Sequence, residues 1–181
     1  GQIISSDMDC EDSINIMNSS GKINNIKVDK SKFDAIDVDF SDIIFDNIQV
    51  NNANNDCVDF SKGNYKIKNI NVYNCKDKGL SAGEKSNVVI ENFIVNKYNI
   101  GLASKDQSSV KIKKAKITNR IKDKNNICLA AYQKKINYIG GKIIVDKLNC
   151  DSKIYVSNYS EDLYNNCKLK SLNNNKLFCD K

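Results

Sequence analysis

The stretch Cys57-Val58-Asp59-Phe60-Ser61-Lys62-Gly63-Asn64-Tyr65-Lys66-Ile67-Lys68-Asn69-Ile70-Asn71-Val72-Tyr73-Asn74-Cys75 decides the fold. It opens on a small residue and then alternates, Val58 and Phe60 against Asp59 and Ser61, which is the period of a strand with one buried face. A turn at Lys62-Gly63-Asn64 leads into Ile67-x-x-Ile70-x-Val72, and Asn74 stands at the next turn, where left-handed backbone is wanted.

Both halves of this stretch recur up and down the chain. Ser13-Ile14, Ala35-Ile36, Cys57-Val58, Gly79-Leu80 and Gly101-Leu102 are spaced by 22 residues, and Cys128-Leu129 follows 27 later. The second motif keeps phase as Ile23-x-x-Ile26-x-Val28, Phe45-x-x-Ile48-x-Val50, Ile90-x-x-Phe93-x-Val95 and Ile112-x-x-Ala115-x-Ile117. A fixed period of this length signals a solenoid. The second motif mimics the leucine-rich pattern, but Ile and Val replace Leu, and the return segment alternates like a strand instead of forming a helix. Asn52, Asn74 and Asn119 recur at one turn, so amide-to-amide hydrogen bonding up a stack is expected.

Small-aliphatic-x-apolar, an Asn-rich turn and I-x-x-I-x-V together resemble the right-handed parallel β-helix repeat of the pectate-lyase-like superfamily, over residues 13 to 150. The fold class is therefore read as all-β, a single-stranded right-handed parallel β-helix with about 22 residues per coil. Residues 1–150 form the coils, and 151–181 supply a last strand at Ile154–Val156 and a C-terminal cap. A cap is needed because the open end of a solenoid is an aggregation edge. Nothing comparable precedes Asp12, so the chain is expected to belong to a longer one.

Composition narrows the function. The chain has 181 residues, 40% hydrophobic and 28% charged, enough for one domain with a continuous core. It has no His, Trp or Pro, which excludes Ser-His-Asp and Cys-His nucleophile pairs and every His-ligated metal site. No stretch approaches the roughly 18 apolar residues of a membrane span, and Gly1-Gln2-Ile3-Ile4-Ser5 lacks the regions of a signal peptide. The net charge of +6 divides unevenly: residues 1–61 hold 12 acids and 4 Lys, and the remainder holds 10 acids and 24 bases. Clustered Arg and interleaved aromatics are missing, so no nucleic-acid partner is expected. The seven Cys include no Cys-x-x-Cys pair and read as inert core thiols in preference to a disulfide framework, with Cys167 and Cys179 packed or paired over the end.

Stacked coils bring residues of equal phase about 4.8 Å apart. The outward positions of the first strand are then Asp37 and Asp39, Asp59 and Ser61, Ser81 and Gly83, Ala103 and Lys105, Ala130 and Tyr132. Lys62, Glu84, Lys85 and Lys134 lie just beyond. Two carboxylates at about 4.8 Å repel by roughly 3 to 4 kcal/mol at an effective dielectric of 20 and by about 1 kcal/mol in water. Either one keeps a proton, or Asp37, Asp39 and Asp59 share a cation, for which Ca²⁺ is the candidate. A parallel ladder, Asp12, Asp34 and Asp56, ends at Lys78, which caps it electrostatically.

The resemblance implies that an extended sugar chain binds along this outer sheet. The candidate catalytic residues are Asp37, Asp39, Asp59 and Lys105, and the candidate substrate-binding residues are Lys62, Ser81, Glu84, Lys85, Tyr132 and Lys134. A lyase would use Lys105 or Lys85 as base, with a lowered pKa. A hydrolase would use two of the aspartates. The expected function is a carbohydrate-active domain that binds an extended acidic polysaccharide, with cleavage left open, at the cell surface or outside the cell. The alternative is a non-catalytic structural, adhesive or surface-interaction module. A longer loop near Asn137-Tyr138 is expected to protrude beside the groove.

Overall fold

A computed structural model describes residues 1–119, 126–157 and 176–178. Among them there is no helix, and the strands join in one 13-stranded sheet. They are β1 (Gln2–Ser5), β2 (Asp12–Met17), β3 (Ser20–Val28), β4 (Asp34–Asp39), β5 (Asp42–Ala53), β6 (Val58–Ser61), β7 (Asn64–Gly83), β8 (Asn87–Lys105), β9 (Ser109–Thr118), β10 (Ile127–Tyr132), β11 (Lys142–Cys150), β12 (Lys153–Ser157) and β13 (Lys176–Phe178).

The sheet winds into a parallel β-solenoid of about five turns. A first wall stacks β2, β4, β6, the end of β7, the end of β8, β10 and β12. A second wall stacks β1, β3, β5, the starts of β7 and β8, β9 and β11. Register follows the sequence period: Ile14 faces Ile36, Ile36 faces Val58, Leu80 faces Leu102 and Leu102 faces Leu129. Every pairing is parallel except β11 with β13, where Lys142 faces Phe178. Cys167, Cys179 and most of the expected cap lie outside the described residues.

The core fills with the two apolar motifs. Ile36, Val58, Leu80, Leu102 and Leu129 line it from the first wall, and Val28, Val50, Val72, Val95 and Ile117 from the second, all essentially inaccessible. Full burial of each such side chain contributes roughly 1.5–3 kcal/mol. Phe60 stacks on Tyr65 at 4.3 Å between centroids, and the Tyr65 hydroxyl donates to the carbonyls of Val38 and Ser61, both at 2.9 Å.

The small residue that opens each first-wall strand has a steric cause. A Cβ on Gly101 would lie 2.5 Å from Ile117 Cγ2 and 2.6 Å from the Cys128 carbonyl, because the walls converge at this corner. The same convergence overturns the expectation of inert thiols. Cys57–Cys75 and Cys128–Cys150 are disulfides, joining Cα atoms 5.4 and 6.1 Å apart, and Cys10 is an exposed free thiol. Each bridge ties the start of a first-wall strand to the end of a second-wall strand.

The opposite corner turns through left-handed backbone at 22-residue steps, with Asn18, Phe40, Lys62, Glu84 and Asp106 at φ between 44° and 56°. Lys85 and Gln107 add a second left-handed residue to the later turns, the geometry of the tight turns that join twisted strands.

Candidate functional site

The predicted site residues do share a wall. Asp37 faces Asp59, Asp39 faces Ser61, Asp59 faces Ser81, Ser81 faces Ala103, Ala103 faces Ala130 and Lys105 faces Tyr132. Alternation turns all of them outward, because their neighbours Val38, Phe60, Ala82 and Ser104 fill the core. The face is open at one end and covered at the other. Asp37, Asp39 and Asp59 are half-buried, whereas Ser81 and Ala103 are 0% exposed and Lys105 is 6% exposed. The Lys105 side chain runs back along the wall over Gly83, its Nζ 4.0 Å from where a Cβ on that glycine would stand.

Burial and crowding at the acidic end favour a retained proton. Burial pushes the Asp37 carboxyl up to about 7, and Asp39 and Asp59 add to the shift. Asn15 Nδ2 donates to Asp37 Oδ2 at 3.2 Å and to Asp12 Oδ2 at 3.3 Å. Burial and Asp59 also raise Asp39, against a hydrogen bond from Ser61. Among the described residues no group of three His, Cys, Asp or Glu side chains converges to hold a metal ion.

At the covered end, burial pushes the Lys105 ammonium down; Asp59 opposes the shift, and Lys134 and Lys78 reinforce it. Burial lifts the Tyr132 phenol to about 12 against the pull of Lys78. Asp59 Oδ1 and Ser81 Oγ, neighbours in the ladder, are buried without a hydrogen-bond partner. Unpaired buried oxygens cost about 1–3 kcal/mol each. Asp37 and Lys105 start three coils apart, about 14 Å. They cannot act on one bond. Asp59 is the carboxylate whose charge acts most on Lys105.

The flanking ladder ends as the sequence suggests. Asp34 Oδ1 accepts the Asp56 N–H at 2.7 Å, Asp56 Oδ1 accepts the Lys78 N–H at 2.9 Å, and Lys78 Nζ reaches Asp56 Oδ1 at 3.3 Å and pairs with Asp77. Burial works against the Lys78 charge, but Asp56 and Asp77 outweigh it and hold the ammonium above its usual range.

Glu84, Lys85, Lys62 and Lys134 lie at the corner beyond the wall. Glu84 pairs with Lys135 and with Lys62 at 3.8 Å, Lys62 Nζ sits 4.8 Å over the Phe40 ring, and Lys85 Nζ sits 5.7 Å from the centre of Tyr138. The loop expected to protrude near Asn137-Tyr138 does so, with Ile136 81% exposed, and its ends are pinned to this corner. The buried Asp106 carboxylate accepts the N–H groups of Lys134 and Lys135, both at 2.7 Å, and the Gln107 N–H donates to the Ile139 carbonyl at 2.8 Å.

The second wall carries what sequence reading left out. Asn47 Nδ2 donates to Asn25 Oδ1, Asn69 to Asn47 and Asn92 to Asn69, at 2.9 to 3.0 Å, a ladder visible as the Asn before the second apolar residue of the first four I-x-x-I motifs. The expected Asn52–Asn74 bond is present at 2.7 Å, but Lys97 takes the next left-handed position, and Asn119 Nδ2 donates to the Tyr98 carbonyl instead.

Comparison of the chain with protein-family models, curated proteins and solved structures finds no match. The superfamily resemblance therefore rests on the repeat and its stacking. No helix among the described residues is long and apolar enough to cross a membrane.

Proposed function

We propose that this solenoid is a carbohydrate-recognition domain of the pectate-lyase-like kind, taking an extended acidic polysaccharide along the outer face of its first wall. The observation that carries the reading is the register of that wall, which lines up Asp37, Asp39 and Asp59 with Lys105 and Tyr132. The half-buried carboxylates of Asp37, Asp39 and Asp59 are acceptors suited to sugar hydroxyls, and a protonated Asp37 can donate to a uronate oxygen. Ca²⁺ bridging between Asp37, Asp39, Asp59 and a uronate is the competing way to seat an acidic chain on acidic residues.

Recognition without cleavage is favoured by the burial of Lys105. A lyase base must touch the sugar proton it removes, and this ammonium lies under cover although its pKa moves in the direction a base requires. Two disulfides support a cell-surface or extracellular setting, since such bridges persist in oxidising compartments.

The test is a panel of uronate-containing oligosaccharides, followed by calorimetry for binding and by ultraviolet absorbance for unsaturated ends, with and without a chelator. Binding that weakens in Asp59→Asn and Lys105→Ala, without product, supports the recognition domain. Product that vanishes in both variants makes it a lyase. Failure of every glycan in the panel to bind would sink the proposal and leave a structural module.

A further inference from the structure

The late coils of the second wall hold a separate feature. Their outward positions are Lys111, Lys113, Lys114 and Lys116 on β9 and Lys142 and Lys147 on β11, all exposed. The acids of this region, Glu91 and Asp146, stand in the Lys113 column. Where the wall bends at Phe93, Ala115 and Leu148, it leaves a depression of about 360 Å³, rimmed by Asn92, Lys114 and Lys147 on one side and Ile94, Lys116 and Asn149 on the other.

This is also where the asparagine ladder changes character. Its position is Asn in four successive coils and then Lys114 and Lys147, which face each other directly across the sheet. Their stems leave the backbone about 4.8 Å apart, a separation at which two like charges repel by about 1 kcal/mol in water. No ion pair reaches Lys114, Lys116 or Lys147 among the described residues. Three uncompensated ammonium groups thus surround a concave surface partly lined by carbon, with Ile94 37% exposed. An anionic group relieves the repulsion, and a ring with an apolar face covers the carbon.

From this geometry we infer a second binding site, on the second wall, for the charged group of an acidic saccharide: a carboxylate or sulfate carried on a sugar ring. The groove runs along the solenoid axis across β8, β9 and β11, so it suits consecutive units of a linear chain. The volume lies in the lower part of the range of small-ligand pockets. The inference shares no residue with the first-wall reading and does not depend on it.

The experiment uses the whole chain, ¹⁵N-labelled, titrated with an oligogalacturonate, a sulfated glycosaminoglycan fragment, the carboxyl-reduced neutral oligosaccharide and a DNA duplex. Amide shifts at residues 92–94, 114–116 and 147–149 report this site, and shifts at 37–39, 59–61 and 103–105 report the first wall, so the two readings fail separately. One of the two acidic saccharides should move the second-wall amides, and which one identifies the charged group. The surface variant Lys114→Gln/Lys147→Gln should bind roughly tenfold more weakly, with a smaller salt dependence and unchanged circular dichroism. Equal binding of the neutral oligosaccharide, unchanged affinity in the double variant, or shifts with DNA as large as with the saccharides would overturn the inference.

Discussion

The two walls repeat at the same step but settle the consequence of repetition in opposite ways. Any residue placed outward in a solenoid meets copies of itself about 4.8 Å above and below. On the second wall the repeated residue is Asn25, Asn47, Asn69 and Asn92, whose side chain is both donor and acceptor, so repetition makes a chain of bonds at 2.9 to 3.0 Å. On the first wall it is Asp37 and Asp59, acceptor-only when ionised, and burial together with the neighbouring carboxylates lifts a pKa instead. Self-complementary side chains make a ladder stabilising. Like charges make it responsive to pH and to ligands.

The largest expected effect tests whether the ladders alone hold the walls together. Cys57 and Cys75 close an 18-residue loop that spans both walls within one turn. Replacing both by Ala should cost about 3 kcal/mol in the chain-entropy account, measured as the free energy of unfolding in denaturant. A loss under about 1 kcal/mol would show that the hydrogen-bonded walls and their core constrain the turn without the bridge.

A smaller effect exchanges the chemistry of the walls. Asn47→Asp removes the donor that reaches Asn25 Oδ1 and sets two acceptors face to face, which should cost about 0.5–1 kcal/mol at this exposed position. Asp59→Asn, which supplies a donor and removes a charge beside Asp37, should stabilise the fold near neutral pH. Thermal melts of both variants beside the parent check this, and the contrast fails if both shifts have the same sign.

The walls were legible in the sequence because burial in a solenoid repeats: the columns from Ile14 to Leu129 and from Val28 to Ile117 must be apolar in every coil. Outward direction followed from alternation, which is why Asp37, Asp59, Lys105 and Tyr132 could be placed on one face. What covers that face was not legible. Ser81, Ala103 and Lys105 are buried although their register turns them outward, and no period encodes that. The disulfides escaped for a related reason: each closes a turn on itself, Cys57–Cys75 at 18 residues and Cys128–Cys150 at 22 around the longer loop, and neither joins residues of equal phase, which is all that a search for stacking compares. The second-wall depression depends on a bend at Phe93, Ala115 and Leu148, and alternation alone does not reveal it.

The finest difference between the walls is proton uptake at Asp37. Its folded pKa, about 7, lies above the unfolded value of 3.8, so the folded chain holds this proton more tightly. The resulting stabilisation is complete below about pH 4 and is lost as the pH rises to about 7. Asp37→Asn removes the titration while keeping the shape, so its melting temperature should fall less than the parent's between about pH 4 and about pH 8 and should exceed the parent's at the upper end. The difference should be at most a few degrees, because Asp37 is only half-buried and solvent screens its neighbours. Calcium separates the two ways of relieving the crowding. If a cation held by Asp37, Asp39 and Asp59 does so, added Ca²⁺ raises the parent's melting temperature at the upper pH and leaves Asp37→Asn unmoved. If the proton does so, Ca²⁺ moves neither, and only the parent follows the pH.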